Sequence, residues 1–427
     1  VTLAPLLVAV NALAEGGASD SPAAPVLRWE WFPAREPALA PYLASVNQYG
    51  AECLQAGALV PADPVSDAAQ WVKTELARHG ITYRLDNSCT FAAMSNVARG
   101  QNTLSYCNMQ LLANWVLFDT PDLGGTAGWL VFQANAGVGL GFELREQSPQ
   151  QNIGTVTWPN YGWVTSSAYI SQVGWAQSFL GGELVVSAGM LDPTIPLDAN
   201  TYANNQYGQL MNWAFVNSQV LPYAFGSLGA IVQWQPAPWF YAMVATGANN
   251  TPSGRPPWYA LSGANWTTLG ELGFVSEDTF GLGKGVARLQ PFVATVQGDV
   301  GGGVALNVEQ RLGRDQPLAL FGRMGVGSPE TARVNGARAQ VAGGVALMGS
   351  GSAAVDKDAV DYLAMGFAWT RVDAPAVHEN ECVLELTAVR NLTPTLAIQP
   401  DVQVIWDPAY GPADVNVVFQ LQLVFIW

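Results

Sequence analysis

The stretch 192–225 gathers Asp192, Asp198, Asn200, Asn204, Asn205 and Gln206 beside Tyr202, Tyr207 and Trp213. Amides and carboxylates exchange hydrogen bonds with hydroxyl groups, while aromatic faces stack on the apolar faces of pyranose rings. Such contacts are individually weak, and a series of them suits passage rather than capture, because a solute must leave as readily as it enters. This segment is the candidate constriction of a water path; the competing reading is an ordinary packed surface loop. A second set, Glu309, Arg311, Arg323, Glu385, Gln399 and Asp401, recurs in the polar phase of alternating segments. Opposed acids and bases there would set a transverse field and sort solutes by charge, or would pair with one another and brace a wall.

No group of residues is marked out for catalysis. The run Gly301-Gly302-Gly303 lacks the following Lys-Ser/Thr and helix of a phosphate loop. Acidic residues are common enough to mimic a glycosidase pair by chance, yet no pairing stands out. His79 and His378 are the only histidines, too few for a His-rich metal centre, and no cofactor motif is present. The four cysteines, Cys53, Cys89, Cys107 and Cys382, form no CxxC pair. Cys89 and Cys107 fall on the two arms of one predicted hairpin and could join across it; buried free thiols are the alternative.

Composition narrows the class. The chain is 427 residues long, 49% hydrophobic and only 12% charged, roughly half the charge of an ordinary soluble domain. No uninterrupted apolar run reaches the length of a membrane helix. The 44 glycines, 27 prolines and 16 tryptophans favour strands and turns. A net charge of −15 repels nucleic acid.

After Gly80 the hydrophobic period becomes two, and sixteen strands are predicted. They span 82–96, 103–119, 126–143, 166–181, 182–191, 226–235, 237–248 and 266–277. The series continues at 286–299, 301–313, 315–326, 336–349, 358–373, 379–392, 394–407 and 414–427. An even count suits a single-chain bacterial barrel. Connections alternate between short and long, with the three longest, near 144–165, 192–225 and 249–265, all in one phase. The last segment places Val417, Phe419, Leu421, Leu423, Phe425 and Trp427 on one face and Gln420 and Gln422 on the other. In 394–407, Leu396, Ile398, Val402, Val404 and Trp406 oppose Gln399, Asp401 and Gln403; in 379–392, Leu384 and Leu386 oppose Glu381, Glu385 and Thr387. In 301–313, Val304, Leu306 and Val308 oppose Asn307, Glu309 and Arg311. In lipid the apolar set faces acyl chains and the polar set faces water; a soluble sandwich would invert this. Tryptophans near strand ends, among them Trp115, Trp129, Trp239, Trp369, Trp406 and Trp427, are expected to girdle the two membrane interfaces.

Before the strands, residues 1–65 read as an extended Ala- and Pro-rich segment, whose start ending in Ala12-Leu13-Ala14 resembles the end of a secretory signal. A short helix is predicted over 66–80, with Asp67 and Gln70 in a capping-box spacing and Gly80 as its stop. The barrel would occupy 81–427.

From about Trp71 onward the chain resembles the OprB family of carbohydrate-selective porins. The likeness rests on Ala77-Arg78-His79-Gly80-Ile81-Thr82, on Ala176-Gln177-Ser178-Phe179-Leu180-Gly181-Gly182, and on Leu318-Ala319-Leu320-Phe321-Gly322-Arg323-Met324-Gly325. The most specific block runs from Val383-Leu384-Glu385-Leu386-Thr387 through Leu392-Thr393-Pro394 to Ile398-Gln399-Pro400-Asp401-Val402-Gln403. The resemblance implies an all-β, sixteen-stranded antiparallel barrel in the bacterial outer membrane, narrowed by an inward-folded loop. It implies passive uptake of monosaccharides and related solutes, outer-membrane lipid as surroundings, no catalytic residue and no cofactor. Assembly into homo-oligomers stays open. Family members commonly carry charges on the strands flanking the Gln-Ser-Phe turn, where this chain has Gln172, Ala176 and Ser187. That departure, with the long N-terminal segment, sustains a second reading: a structural or docking barrel whose lumen is occluded. A secreted carbohydrate-binding β protein is the third.

Overall fold

A computed structural model describes residues 60, 63–120, 126–142, 147–163, 168–249, 258, 265–313, 318–348, 361–373 and 376–426. The expected extended segment 1–65, apart from Val60 and Asp63–Val65, lies outside the described residues, as do Cys53 and Trp427.

The described residues form sixteen strands. The first eight are β1 (Ile81–Met94), β2 (Thr103–Thr120), β3 (Thr126–Gly139), β4 (Ala168–Phe179), β5 (Leu184–Leu191), β6 (Ser227–Ala237), β7 (Phe240–Ala248) and β8 (Trp266–Ser276). Then come β9 (Gly285–Val296), β10 (Asp299–Arg311), β11 (Leu318–Gly327), β12 (Ala337–Met348), β13 (Asp361–Val372), β14 (Asn380–Asn391), β15 (Leu396–Trp406) and β16 (Val415–Ile426). Each coincides with a segment of period-two alternation, differing only at its ends. Every neighbour is antiparallel, and β1 closes on β16 from Asp86↔Ile426 to Met94↔Val418. Closure leaves no unpaired edge, as a sheet crossing lipid requires. Among the described residues four short α-helices accompany the strands: α1 (Pro64–Ala77), α2 (Pro149–Ile153), α3 (Trp213–Val216) and α4 (Pro329–Asn335).

Side-chain polarity is inverted relative to a soluble protein. Phe91, Val244, Met324, Met365, Phe367 and Leu386 lie on the outer surface, 41–50% exposed. Their alternating neighbours include Asp86, Gln290, Asn307, Gln340, Glu381, Glu385, Gln399, Gln403 and Gln420, each 0% exposed and inside. A sandwich would bury the first set and expose the second. The apolar band therefore faces acyl chains.

Trp115 and Trp239 lie outside, 48% and 61% exposed, as girdle residues would. Trp129 differs from the expectation. It shares the inward face of β3 with Val131, Gln133 and Asn135 and is 1% exposed, so its indole fills lumen rather than interface.

Helix α1 begins earlier than the capping-box spacing suggested. Pro64 takes the first turn, where a missing N–H costs nothing, and Asp63 rather than Asp67 is the cap, accepting from Ser66 N at 2.6 Å. Asp63 also accepts from Thr395 Oγ1 at 3.0 Å, and Val60 N donates to Leu392 O at 2.9 Å, so the helix start is tied to the β14–β15 turn. The helix ends at Ala77, ahead of Gly80, which adopts φ +75°. A Cβ there would stand 2.6 Å from Val116 O, so only glycine lets the chain turn from helix into β1. Cys89 and Cys107 are directly opposed in the β1–β2 register and joined as a disulfide. Both lie in the outward phase of their strands.

Candidate functional site: infolded loops and lumen wall

The connection from β5 to β6 turns into the barrel, and nearly all of it is buried. Its hydrogen bonds reach β2, β4 and every strand from β8 to β16. Near its start, Asp192 N donates to Gln172 Oε1 on β4 at 3.1 Å, and the Asp192 carboxylate accepts from Thr194 N and Oγ1 at 3.0 and 2.6 Å. Burial pushes that carboxyl above its usual range against the pull of these bonds.

Asp198 is the next anchor. It is wholly enclosed and adopts φ +59°, a left-handed conformation uncommon outside glycine that aspartate tolerates better than most residues. Its carboxylate accepts from Asn307 Nδ2 at 2.6 Å, Gln290 Nε2 at 3.2 Å, Tyr223 Oη at 3.0 Å, Ser218 N at 2.5 Å and Arg323 Nε at 3.2 Å. Its own N–H donates to Glu271 Oε2 at 2.8 Å. Arg323 also donates to Phe215 O, and Asn200 Nδ2 reaches Asn307 Oδ1 at 2.8 Å. Glu309 accepts from Thr201 N and Oγ1 at 2.6 and 3.0 Å and pairs with Arg288 at 3.2 Å.

The rest of the loop is held along the far wall. Gln219 N donates to Gln340 Oε1 at 2.8 Å, Thr370 Oγ1 to Gln219 Oε1 at 2.8 Å, and Tyr362 Oη to Tyr202 O at 2.6 Å. Glu385 accepts from Met211 N and Asn212 N at 2.5 and 3.1 Å, and Asn212 Nδ2 donates to Gln403 Oε1 at 2.9 Å. Gln399 donates to Gln209 O, and Gln422 Nε2 to Gln206 O at 3.0 Å. Asp401 accepts from Gln403 and Gln420 at 2.8 and 3.2 Å. Asn204 N and Asn205 N both donate to Gln209 Oε1, shaping the loop itself. Arg311 is half-buried at the end of β10, in the inward phase of Glu309. Two wall glycines make room: a Cβ at Gly366 would meet the Phe215 ring at 2.7 Å, and one at Gly325 would meet Val220 at 2.4 Å.

A second connection, 147–163, also enters the lumen. Glu381 grips it, accepting from Val156 N and Thr157 N at 2.9 and 3.0 Å and from Thr155 Oγ1. It joins the first loop through Tyr161 N to Met211 O and Trp213 N to Trp158 O, both 2.9 Å, with the Tyr161 and Trp213 rings stacked 5.9 Å apart.

Charge is distributed unevenly around the wall. Strands β3 to β7 contain no Asp, Glu, Lys or Arg, and their inward residues include Gln133, Asn135, Gln172, Ser187 and Gln233. Ala176 and Ser187 are directly paired on that wall. The ionic anchors Arg84, Asp86, Glu271, Arg288, Glu309, Arg323, Glu381, Glu385 and Asp401 all belong to β1 or to β8–β15.

A sequence profile described as the carbohydrate-selective porin, OprB family, matches residues 122–287 and 289–425. The chain belongs to the OprB family. Porins of this family are outer-membrane channels and not enzymes. Porin AaxA of Chlamydia pneumoniae is 23% identical over 306 residues, 70% of this chain and 66% of that protein. Porin AaxA of Chlamydia caviae is 25% identical over 336 residues, 70% of this chain and 64% of that protein. The chain thus spans just under two thirds of the length of these curated relatives. The high-pH structure of Pseudomonas putida OprB superposes with a TM-score of 0.66 at 17% identity, over 83% of this chain and 96% of that one. That likeness establishes the barrel fold.

Sequence reading placed Glu381 and Asn307 on inward faces without assigning them a part, and it passed over Glu271, Arg288, Gln290 and Gln340. Their inward phase was legible; that Asp198 and Gln219 would arrive opposite them was not. The inward turn of 147–163 left no signal beyond its length.

Proposed function

We propose that this OprB-family barrel passes small uncharged hydrophilic solutes, sugars and related polyols, along the wall formed by β3 to β7. The observation that carries this reading is the neutrality of that wall. Amides and hydroxyls exchange hydrogen bonds with sugar hydroxyls at little cost, and no fixed charge there traps or repels an uncharged solute. The family's description as carbohydrate-selective supports this class of cargo, and the name porin borne by the relatives supports passage through the barrel. The ionic groups on the opposite side supply most of the bonds that hold the infolded loops, whereas loop 192–225 meets the neutral wall at Gln172.

Liposomes carrying the folded chain should swell in neutral monosaccharides faster than in equally sized sugar acids. Placing an arginine on the neutral wall, Gln133→Arg or Ser187→Arg, should narrow that difference and slow neutral sugars. Equal rates for neutral and acidic sugars would remove the argument. The second reading, a docking barrel closed to solutes, is favoured by one observation, the bonding of loop 192–225 to β2, β4 and β8–β16. It predicts no swelling and no bilayer conductance for the intact chain, with conductance appearing once the loop's anchors are cut.

A further inference from the structure

We propose that His378, Asp407 and Asp414 bind one divalent transition-metal ion of the zinc class on the rim opposite α1. One ligand atom from each residue lies within 4.8 Å of the other two. His378 precedes β14, whereas Asp407 and Asp414 bracket the connection from β15 to β16, so the three meet only in the folded barrel. His378 Nε2 is shut off from solvent and, among the described residues, has no hydrogen-bond partner. A buried imidazole nitrogen left without a partner forfeits the free energy of its lost hydration, and a metal ion restores it. Both aspartates are exposed, which leaves the ion a way in from solvent.

The backbone already holds the donors together. Val377 N and His378 N donate to Ala409 O at 2.7 and 3.2 Å, and Asp407 N donates to Asp414 O at 2.8 Å. Two carboxylates balance a doubly charged ion, and the imidazole selects against calcium and magnesium, which prefer oxygen alone. Three protein ligands leave a coordination position for water. The charged neighbours Arg371 and Glu379 pair with each other at 3.9 Å. Between the aspartates, Ala409 N donates to Glu381 Oε2 at 2.9 Å and Tyr410 N to Gly154 O at 2.6 Å. The ion would therefore clamp the segment that itself steadies the infolded connection 147–163. The site is built from connections at the barrel's end rather than from the wall residues of the proposed solute path, and does not depend on which solute passes.

The test is equilibrium binding of zinc to the full-length folded barrel in detergent, read by competition with a chelating dye. One ion per chain is expected. His378→Ala and the double variant Asp407→Asn with Asp414→Asn should weaken binding at least about 100-fold, the upper end of what loss of a mere supporting group costs. His79→Ala, which removes the other histidine of the chain, should leave binding unchanged. X-ray absorption should report a single imidazole in a shell otherwise of oxygen. Heat-modified electrophoretic mobility equal to that of the parent shows that the variants are folded. Absence of stoichiometric binding by the parent, or undiminished binding by folded His378→Ala, overturns the proposal.

Discussion

Asp198 is held with its charge out of all solvent contact by donors arriving from β9, β10, β11 and its own loop. Arg323 is its ionic partner and is 1% exposed. Removing one member of such a pair strands a buried charge, which costs about 3–5 kcal/mol, far more than the intact pair contributes over an apolar substitute. Asp198→Ala is therefore expected to release the loop while the barrel stays closed, since no strand hydrogen bond depends on this residue. Planar-bilayer recordings should show larger and noisier conductance steps than those of the parent, and added protease should cut within 192–225. Unchanged recordings and a protected loop would mean that the remaining anchors suffice. The glycines opposite the loop act by what they lack: at Gly325 and Gly366 any side chain would occupy the space of Val220 and Phe215.

Helix α1 shows how one cap can dock an element. Partial burial pushes the Asp63 carboxyl up, but bonds from Thr393, Ser66 N and Thr395 outweigh it and hold the group below its ordinary value of 3.8. A lowered native value means that the ionised form is the one favoured by folding. Its contribution is complete above pH 3.8 and fades as pH falls through the lower native value. Helix docking should accordingly survive mild acid and fail only below that range. Asp63→Asn should keep the cap and lose this acid dependence, while Asp63→Ala should cost about 0.5–2 kcal/mol of helix stability. Hydrogen exchange of the α1 amides as a function of pH distinguishes these outcomes. Among the strands, the Cys89–Cys107 bridge lies on the lipid side of β1 and β2, so it strengthens the hairpin beside the closing seam and takes no part in the lumen.

Taken as a whole, the barrel has a neutral half and an acidic half. Three arginines are matched in ion pairs, Arg84 with Asp86 at 2.7 Å, Arg288 with Glu309 at 3.2 Å and Arg323 with Asp198 at 3.2 Å. Glu271 and Glu381 add further acid to the interior, and Glu385 and Asp401, hydrogen-bonded to each other through a shared proton, add one more charge between them. Any ionic current through this lumen should therefore prefer cations. Reversal potentials across a potassium chloride gradient should carry the sign of cation selectivity, and the preference should shrink at high salt as the field is screened. Anion selectivity would show that ions follow a path the interior acids do not reach.

The sixteen strands, their faces and the identity of the inward residues were legible in the sequence alone. A strand in lipid must alternate and must find partners for all its backbone groups, so the pattern is local and repeats with every crossing. Asn307, Glu385, Gln399 and Asp401 could thus be placed inside from their immediate neighbours. Where a loop lies is a different matter. The inward turn of 192–225 depends on Asp198 meeting Arg323, which stands 125 positions away, and on Phe215 and Val220 finding walls without side chains. The bond from Thr395 to the Asp63 cap and the meeting of His378 with Asp407 and Asp414 are of the same kind. Each requires groups distant along the chain to converge, and that convergence exists only once the barrel has closed.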